Sequence, residues 1–108
     1  MRLALTAGVV IAAVLLLGAC TWVKPTVQGE KVRVLTAEEV VKCERVGQTT
    51  VSLLARVAGI ERSPRKVQEE LNVLARNSAA DVGGDTVVPM GPVEDGKQTF
   101  AIYRCMPR

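Results

Sequence analysis

The segment Ser63–Gly84 reads SPRKVQEELNVLARNSAADVGG and decides the fold, because it carries the clearest periodic pattern in the chain. Apolar or small side chains recur at the three- and four-residue spacing of one helix face. They are Val67, Leu71, Leu74, Ala75, Ser78, Ala79 and Val82. Ser63 suits the N-cap, Pro64 the first helical position and Gly83-Gly84 a left-handed exit. The segment predicts one amphipathic helix that ends at the glycine pair.

Two extended segments follow this helix. DTVVPM (85–90) predicts a short strand, in which Pro89 favours an edge or a strand end. QTFAIYRC (98–105) predicts a longer one, and Asp95-Gly96 between them is a strong turn signal. We expect these two strands to form an antiparallel hairpin.

The chain before the helix begins with KVRVL (31–35), whose alternating pattern predicts a half-buried strand with Val32 and Val34 facing inward. Thr36 and Glu39 have the spacing of a capping box. They predict a single helical turn after the first strand.

A further strand is predicted over CERVGQTTVSLLA (43–55), which is rich in β-branched residues. Gly47 marks a site for a β-bulge. Residues 56–64 contain a glycine and end in Ser-Pro, so we expect them to turn into the helix.

The chain has three cysteines, Cys20, Cys43 and Cys105. The last two form an even pair in a chain that begins like a secreted protein, and such pairs are usually oxidised. The alternative is a reactive thiolate at Cys43, favoured by the neighbouring cations Lys42 and Arg45. The CxxC spacing of redox motifs is absent from the sequence, so we favour a structural Cys43–Cys105 disulfide.

The disulfide also constrains the topology. A bridge from the start of the second strand to the end of the last makes those two strands antiparallel. The second and third strands are then parallel around the crossover helix. The predicted fold is α+β, a four-stranded mixed sheet with one main helix packed on one face, and we expect the strand order first-second-fourth-third.

Residues 1–19 have the anatomy of a secretory signal peptide, with the cation Arg2, an apolar middle and small residues at the end. An uncleaved anchor is the alternative, but a membrane span needs roughly 20 apolar residues and this stretch is shorter. Residues 20–30 contain Pro25 and Gly29 without a periodic pattern, and they predict a short tether. One small domain is expected over residues 31–108, because 108 residues suit a single core.

Leu17-Gly18-Ala19-Cys20 resembles the lipobox of bacterial lipoproteins. The resemblance implies that Cys20 carries a diacylglycerol and becomes the acylated N-terminus after cleavage. Two or three acyl chains give a stable membrane anchor, whereas one gives marginal binding. The alternative is an ordinary signal peptide that leaves Cys20 as a free thiol.

The composition argues against enzymatic chemistry and against a metal or cofactor site. The chain contains no histidine, the commonest general base and metal ligand. Its acidic pairs, Glu38-Glu39 and Glu69-Glu70, are adjacent in sequence and therefore do not face each other on a helix. No phosphate-binding or nucleophile motif occurs in the sequence. We predict a protein without catalytic residues, metal or cofactor.

Basic residues gather around the start of the helix. Arg56, Arg62, Arg65 and Lys66 lie where free backbone N–H groups already favour an anion. These four residues predict an anion-binding surface for an anionic lipid, lipopolysaccharide or a cell-wall polymer. The alternative is an ordinary solvated loop. Secretion makes nucleic acid an unexpected partner.

The segments KVRVL, CERVG, ELNVLARNSAADVGGDTVV and the closing YRC together resemble a small family of Gram-negative envelope lipoproteins known only as a domain of unknown function. The chain is more distantly similar to the stress-sensor lipoproteins of the Rcs phosphorelay. It lacks their long proline-rich tether and has cysteines for one bridge. The resemblance supplies no catalytic residues.

These resemblances imply a lipid-anchored envelope protein that acts by binding or structural interaction. Thr21 follows the lipobox cysteine where aspartate commonly retains lipoproteins in the inner membrane, so the expected location is the outer membrane, facing the periplasm. An envelope stress-sensing or regulatory role through a protein partner is the alternative.

Overall fold

The structure is a computed structural model, and it describes residues 23–54, 56–57 and 60–106. Within these ranges, six strands form two sheets, and one α-helix, α1, spans Pro64–Asp81. The strands are β1 (Arg33–Val34), β2 (Glu44–Ser52), β3 (Arg56–Val57), β4 (Ile60–Glu61), β5 (Thr86–Pro89) and β6 (Lys97–Arg104). Short 3₁₀ helices occupy Gly29–Lys31 and Ala37–Val40. The predicted signal peptide and Cys20 lie outside the described residues.

The main sheet has four strands in the order β1-β5-β6-β2. β6 is antiparallel to both β2 and β5, and β1 is parallel to β5. The mixed sheet, the final hairpin and the parallel orientation of β2 and β5 around the helix are confirmed. The ladder between β2 and β6 shifts register between Arg45 and Gly47, so the bulge is also confirmed.

The expected strand order is wrong, because β1 pairs with β5 and not with β2. The prediction assumed that consecutive strands are neighbours, as they usually are. Here the residues between β1 and β2 cross the sheet from one edge to the other. The segment 56–61 also differs from the expected simple turn, because β3 and β4 form a separate antiparallel pair.

The crossing segment contains the predicted capping turn. The Thr36 backbone N–H and hydroxyl both donate to Glu39 Oε1, each at 3.0 Å. Val40 follows in the 3₁₀ helix and is buried, as are Val88 and Ala101, and these three do not belong to the cluster beneath α1. The turn therefore ends in a buried apolar residue outside that cluster.

The helix begins and ends close to the predicted residues. Pro64 is its first residue and Ser63 its N-cap, although the Ser63 side chain makes no capping hydrogen bond. At the other end Gly83 has a φ of 78°. The N–H groups of Gly83 and Gly84 donate to the carbonyls of Ala80 (3.2 Å) and Ala79 (2.8 Å), which is the Schellman pattern.

Gly84 is also required for packing. A Cβ atom at this position would lie 2.3 Å from Ile102 Cγ2, too close for any real contact. The chain can therefore pass from α1 into β5 directly over β6 only with glycine here.

The core lies between α1 and the sheet. The helix contributes Val67, Leu71, Ala75 and Ala79, and the strands contribute Val51, Val87, Phe100 and Ile102. Burial of a large apolar side chain contributes about 1.5–3 kcal/mol each, so this cluster supplies the main stabilisation. Val32 is buried as predicted, but Val34 retains 38% exposure and Val82, beyond the end of the helix, 56%.

Two polar side chains of α1 hold the segment before β1. Arg76 donates from Nε to the carbonyls of Val32 (2.8 Å) and Gly29 (3.1 Å), and from Nη2 to that of Glu30 (2.8 Å). Asn77 accepts from the Thr26 N–H (2.9 Å) and donates to the Lys24 carbonyl (3.1 Å). Part of the segment that the sequence presents as tether is therefore bound to the helix.

The Cys43–Cys105 disulfide is present and joins the residues that flank the β2 and β6 ladder. Its Cα atoms are 4.5 Å apart, and 62 positions of sequence separate the two cysteines. The bridge therefore encloses most of the domain in one covalent loop.

Asp85 fixes the chain beside the disulfide. Its carboxylate accepts the N–H of Cys105 (2.8 Å) and Met106 (2.9 Å) and the Thr86 hydroxyl (2.9 Å). Partial burial by itself raises the pKa of the carboxyl. The three donors, with a smaller contribution from the nearby Arg33 guanidinium, outweigh it and lower the pKa below its ordinary value of 3.8.

We predict that Cys43→Ser strongly destabilises the protein. A loop of this size contributes on the order of 4 kcal/mol by limiting the unfolded chain, which corresponds to a drop in Tm of roughly 15 °C or more. Thermal unfolding followed by circular dichroism measures the change. Cys20→Ala is the control and should leave Tm unchanged. A Cys43→Ser protein as stable as the wild type would contradict a structural role.

We also predict that Asp85 makes stability depend on pH. Because its folded pKa is lowered, its contribution is complete above about pH 5 and is lost as the pH falls through 3.8 to the folded pKa. Asp85→Asn should therefore unfold at lower denaturant concentration near pH 7, and its difference from the wild type should shrink toward pH 3. Urea unfolding at several pH values measures this. Asp81→Asn, which changes an exposed carboxylate at the end of α1, is the control; an equal pH response in both variants would refute the assignment.

Candidate functional site

The domain has two distinct ends, because β2 and β5 start beside the point where β6 stops. We call the region around Cys43, Cys105 and the last turn of α1 the disulfide end. We call the opposite region the groove end. There β2 stops, α1 begins at Pro64 and the β5–β6 turn lies at Asp95-Gly96.

A groove of about 800 Å³ opens at the groove end. Its walls come from three segments, namely the residues after β2, the first turn of α1 and the β5–β6 loop. The apolar lining side chains are Leu53, Leu54, Pro64, Val67, Pro92 and Val93. Val67 is buried, whereas Leu54 is 73% exposed. The volume lies in the range of small-molecule and peptide-side-chain pockets.

The β5–β6 loop is held in place by a tight turn. Asp95 and Gly96 both have positive φ, 49° and 71°. Glu94 and Lys97 exchange two backbone hydrogen bonds of 2.9 Å, and the Gly96 carbonyl accepts the Leu53 N–H at 2.8 Å. This confirms the turn predicted from the Asp-Gly sequence, and it fixes the end of β2 against the loop.

A pair of glutamines lies beside the groove. Gln68 lines it and donates from Nε2 to Gln98 Oε1 at 2.7 Å. Gln98 is only 6% exposed and donates in turn to the Gly91 carbonyl at 2.8 Å. The buried amide is thus hydrogen-bonded on both sides and holds the β5–β6 loop to the sheet.

Two charged residues, Arg62 and Asp95, line the groove. The Arg62 guanidinium already has partners. Nη2 forms an ion pair with Glu70, whose side chain is 16% exposed, and Nη1 lies 3.5 Å from the Leu54 carbonyl. The guanidinium therefore connects the segment after β2 to the helix. The pairing also reduces the positive charge available to an anion.

The other predicted anion-binding residues are not assembled around the groove. Arg65 is exposed and pairs with Glu69 one helical turn away at 3.6 Å, a geometry that contributes a few tenths of a kcal/mol. Lys66 is exposed on the same turn. Arg56 lies in β3, and its side chain is outside the described part of the structure. The anion-binding surface stays a prediction.

Within residues 23–54, 56–57 and 60–106, no three Cys, Asp or Glu side chains come together as a metal-binding group. In the same ranges, no helix is both long and apolar enough to cross a membrane.

The groove and its glutamine pair were not predicted from the sequence. Gln68 falls among the polar positions of α1, which suggested a solvent-facing residue. Gln98 carried a readable signal, because it alternates with Phe100 and Ile102 on the face that α1 covers. A polar residue at such an inward position indicates a buried hydrogen-bonded amide.

Comparison with known proteins identifies a family for most of the chain. No curated protein and no solved structure matches the chain. The model of the DUF4156 family, a domain of unknown function, matches residues 23–105. The match begins where Asn77 and Arg76 hold the N-terminal segment and ends at the second disulfide cysteine. This confirms the expected relation to a family of unknown function, while the resemblances to lipoproteins and to the Rcs sensors stay predictions. The chain belongs to the DUF4156 family.

Proposed function

We propose that this protein is an outer-membrane lipoprotein whose domain acts by binding an apolar segment of an envelope protein partner. The groove carries the proposal. It is open and lined mainly by apolar side chains. Of its two charged residues, Arg62 is already paired with Glu70 and Asp95 lies on the β5–β6 turn. Such a surface suits the side chains of a protein segment, because binding an anion there requires Arg62 to give up Glu70.

The proposed anchor rests on the sequence. Leu17-Gly18-Ala19-Cys20 resembles a lipobox, and Thr21 stands where aspartate commonly retains lipoproteins in the inner membrane. Acylation of Cys20 would place the domain at the membrane surface, and only the disulfide cysteines would remain in the fold.

A binding role fits the chemistry of the described residues better than catalysis does. Gln98 beside the groove makes hydrogen bonds with Gln68 and the Gly91 carbonyl, and in the described residues no buried side-chain nitrogen or oxygen lacks a partner. Catalytic groups are usually found with perturbed titration and incomplete pairing. The apolar side chains of the groove, by contrast, suit contact with another protein.

Loss of acylation should follow substitution of the lipobox cysteine. Cys20→Ala should abolish incorporation of a clickable fatty acid in growing cells and shift the protein out of the membrane fraction. Cys43→Ser is the matched control and should keep its label, because its thiol belongs to the fold. Labelling that persists in Cys20→Ala would place the anchor elsewhere. Recovery of the wild type with the inner membrane would contradict the outer-membrane location.

Photocrosslinking from the groove tests the binding role. A benzoyl-phenylalanine at Leu54, whose side chain is 73% exposed at the groove, should trap a discrete envelope protein in intact cells. The same probe at Glu38, an exposed residue of the second 3₁₀ helix, should not trap it. Val93→Trp fills the groove and should reduce the Leu54 adduct several-fold.

Equal adducts from both positions would rule out the groove as the site. The identity of the trapped protein distinguishes a structural role from the second role considered, envelope stress sensing. An adduct with lipopolysaccharide or phospholipid would instead favour an anionic ligand at the exposed Arg65 and Lys66.

A further inference from the structure

We propose that the disulfide end of the domain rests on the anionic surface of the anchoring membrane and that the groove end points away from it. The proposal rests on the proposed lipid anchor at Cys20. It adds an orientation and a second interaction surface that the sequence does not indicate.

The first observation is the short distance between the anchor and the fold. The Lys24 carbonyl and the Thr26 N–H are bound to Asn77, so the chain is attached to α1 from residue 24 onward. Lys24 is four positions after Cys20, and an extended chain spans at most about 14 Å over four positions. The attachment point on the helix must therefore stay close to the lipid.

The second observation is where this attachment point lies. Asn77 is in the last turns of α1, near the disulfide end, and Pro64 at the groove end is 13 residues earlier. At the rise of an α-helix this separation is about 20 Å along the axis. The anchor thus reaches one end of the domain and leaves the other end farther from the membrane.

The third observation is the side-chain chemistry of the disulfide end. Val82 at the end of α1 and Met106 beside the disulfide are 56% and 47% exposed, and Val27 and Val41 on the adjoining segments are 73% and 79% exposed. Exposed cations lie on the same segments, namely Lys24, Lys31, Arg33 and Lys42. Exposed apolar side chains and cations on the same segments suit the boundary between headgroups and acyl chains of an anionic bilayer.

Charged groups are exposed at both ends of the domain. The groove end carries Glu94 and Asp95 but also the cations Arg65, Lys66 and Lys97. The proposed orientation therefore rests on the position of the anchor and on the exposed apolar side chains of the disulfide end.

Depth-dependent quenching of a single tryptophan tests the orientation. The purified acylated protein is reconstituted in vesicles of phosphatidylethanolamine and phosphatidylglycerol (3:1) that contain dibrominated acyl chains. Trp22, the natural tryptophan, is replaced by Phe, and a new one is introduced as Val82→Trp or Leu54→Trp. Both positions are exposed, one at each end of the domain. We expect quenching of Val82→Trp to be at least twofold stronger, and 0.5 M salt to reduce it.

Every result decides the question. Equal quenching at the two positions, stronger quenching at Leu54→Trp, or none at either position would overturn the orientation. Mass spectrometry of the N-terminal peptide is read first, because absence of acyl chains on Cys20 refutes the anchor itself. Circular dichroism of both variants confirms that they are folded.

Discussion

The antiparallel pairing of β2 with β6, closed at one end by the Cys43–Cys105 disulfide, is the constraint on which the other elements depend. These are the two longest strands, and β6 occupies the centre of the sheet with β5 on its other side. Since β2 and β5 must both run antiparallel to β6, the chain between them has to return along the sheet. Helix α1 makes that return, and its buried side chains cover Phe100 and Ile102 on β6.

The same arrangement gives the domain two ends of different chemistry. One end collects the disulfide, the Asp85 carboxylate with its N–H donors and the Schellman turn, all of which fix backbone. The other end carries a groove whose walls come from three segments. They are joined by the Arg62 guanidinium, the Gln68–Gln98 pair and the Leu53–Gly96 hydrogen bond. A backbone fixed by the disulfide and by hydrogen bonds at one end, and an open apolar groove at the other, fit the proposed anchoring at the first and the proposed binding at the second.

The N-terminal segment links this architecture to the proposed anchoring. The Arg76 guanidinium donates hydrogen bonds to three backbone carbonyls, and Asn77 donates to the carbonyl of Lys24, which precedes them in the chain. Gly29 allows this close approach, since a Cβ there would lie 2.2 Å from Asn77 Oδ1. Lys24 and Thr26, four and six positions after the proposed lipidation site, are thus attached to the helix. A long flexible tether would let the domain sample many orientations, whereas this short one restricts it.

The sequence by itself determined the elements whose signals are local. The period of Val67, Leu71, Ala75 and Ala79, the glycine stop and the Asp95-Gly96 turn each specify backbone geometry within a few residues, so helix, hairpin and bulge were predictable. The disulfide and the antiparallel pairing it imposes also followed, because two of the three cysteines remained once Cys20 was assigned to the lipobox.

Tertiary structure alone decided the position of β1 beside β5, since strand order depends on contacts distant in sequence and consecutive strands are neighbours only on average. It alone also decided the groove and the pairing of Arg62 with Glu70. The sequence shows which of those side chains are polar and which are apolar. Which of them come into contact depends on how the ends of β2, α1 and β6 are brought together.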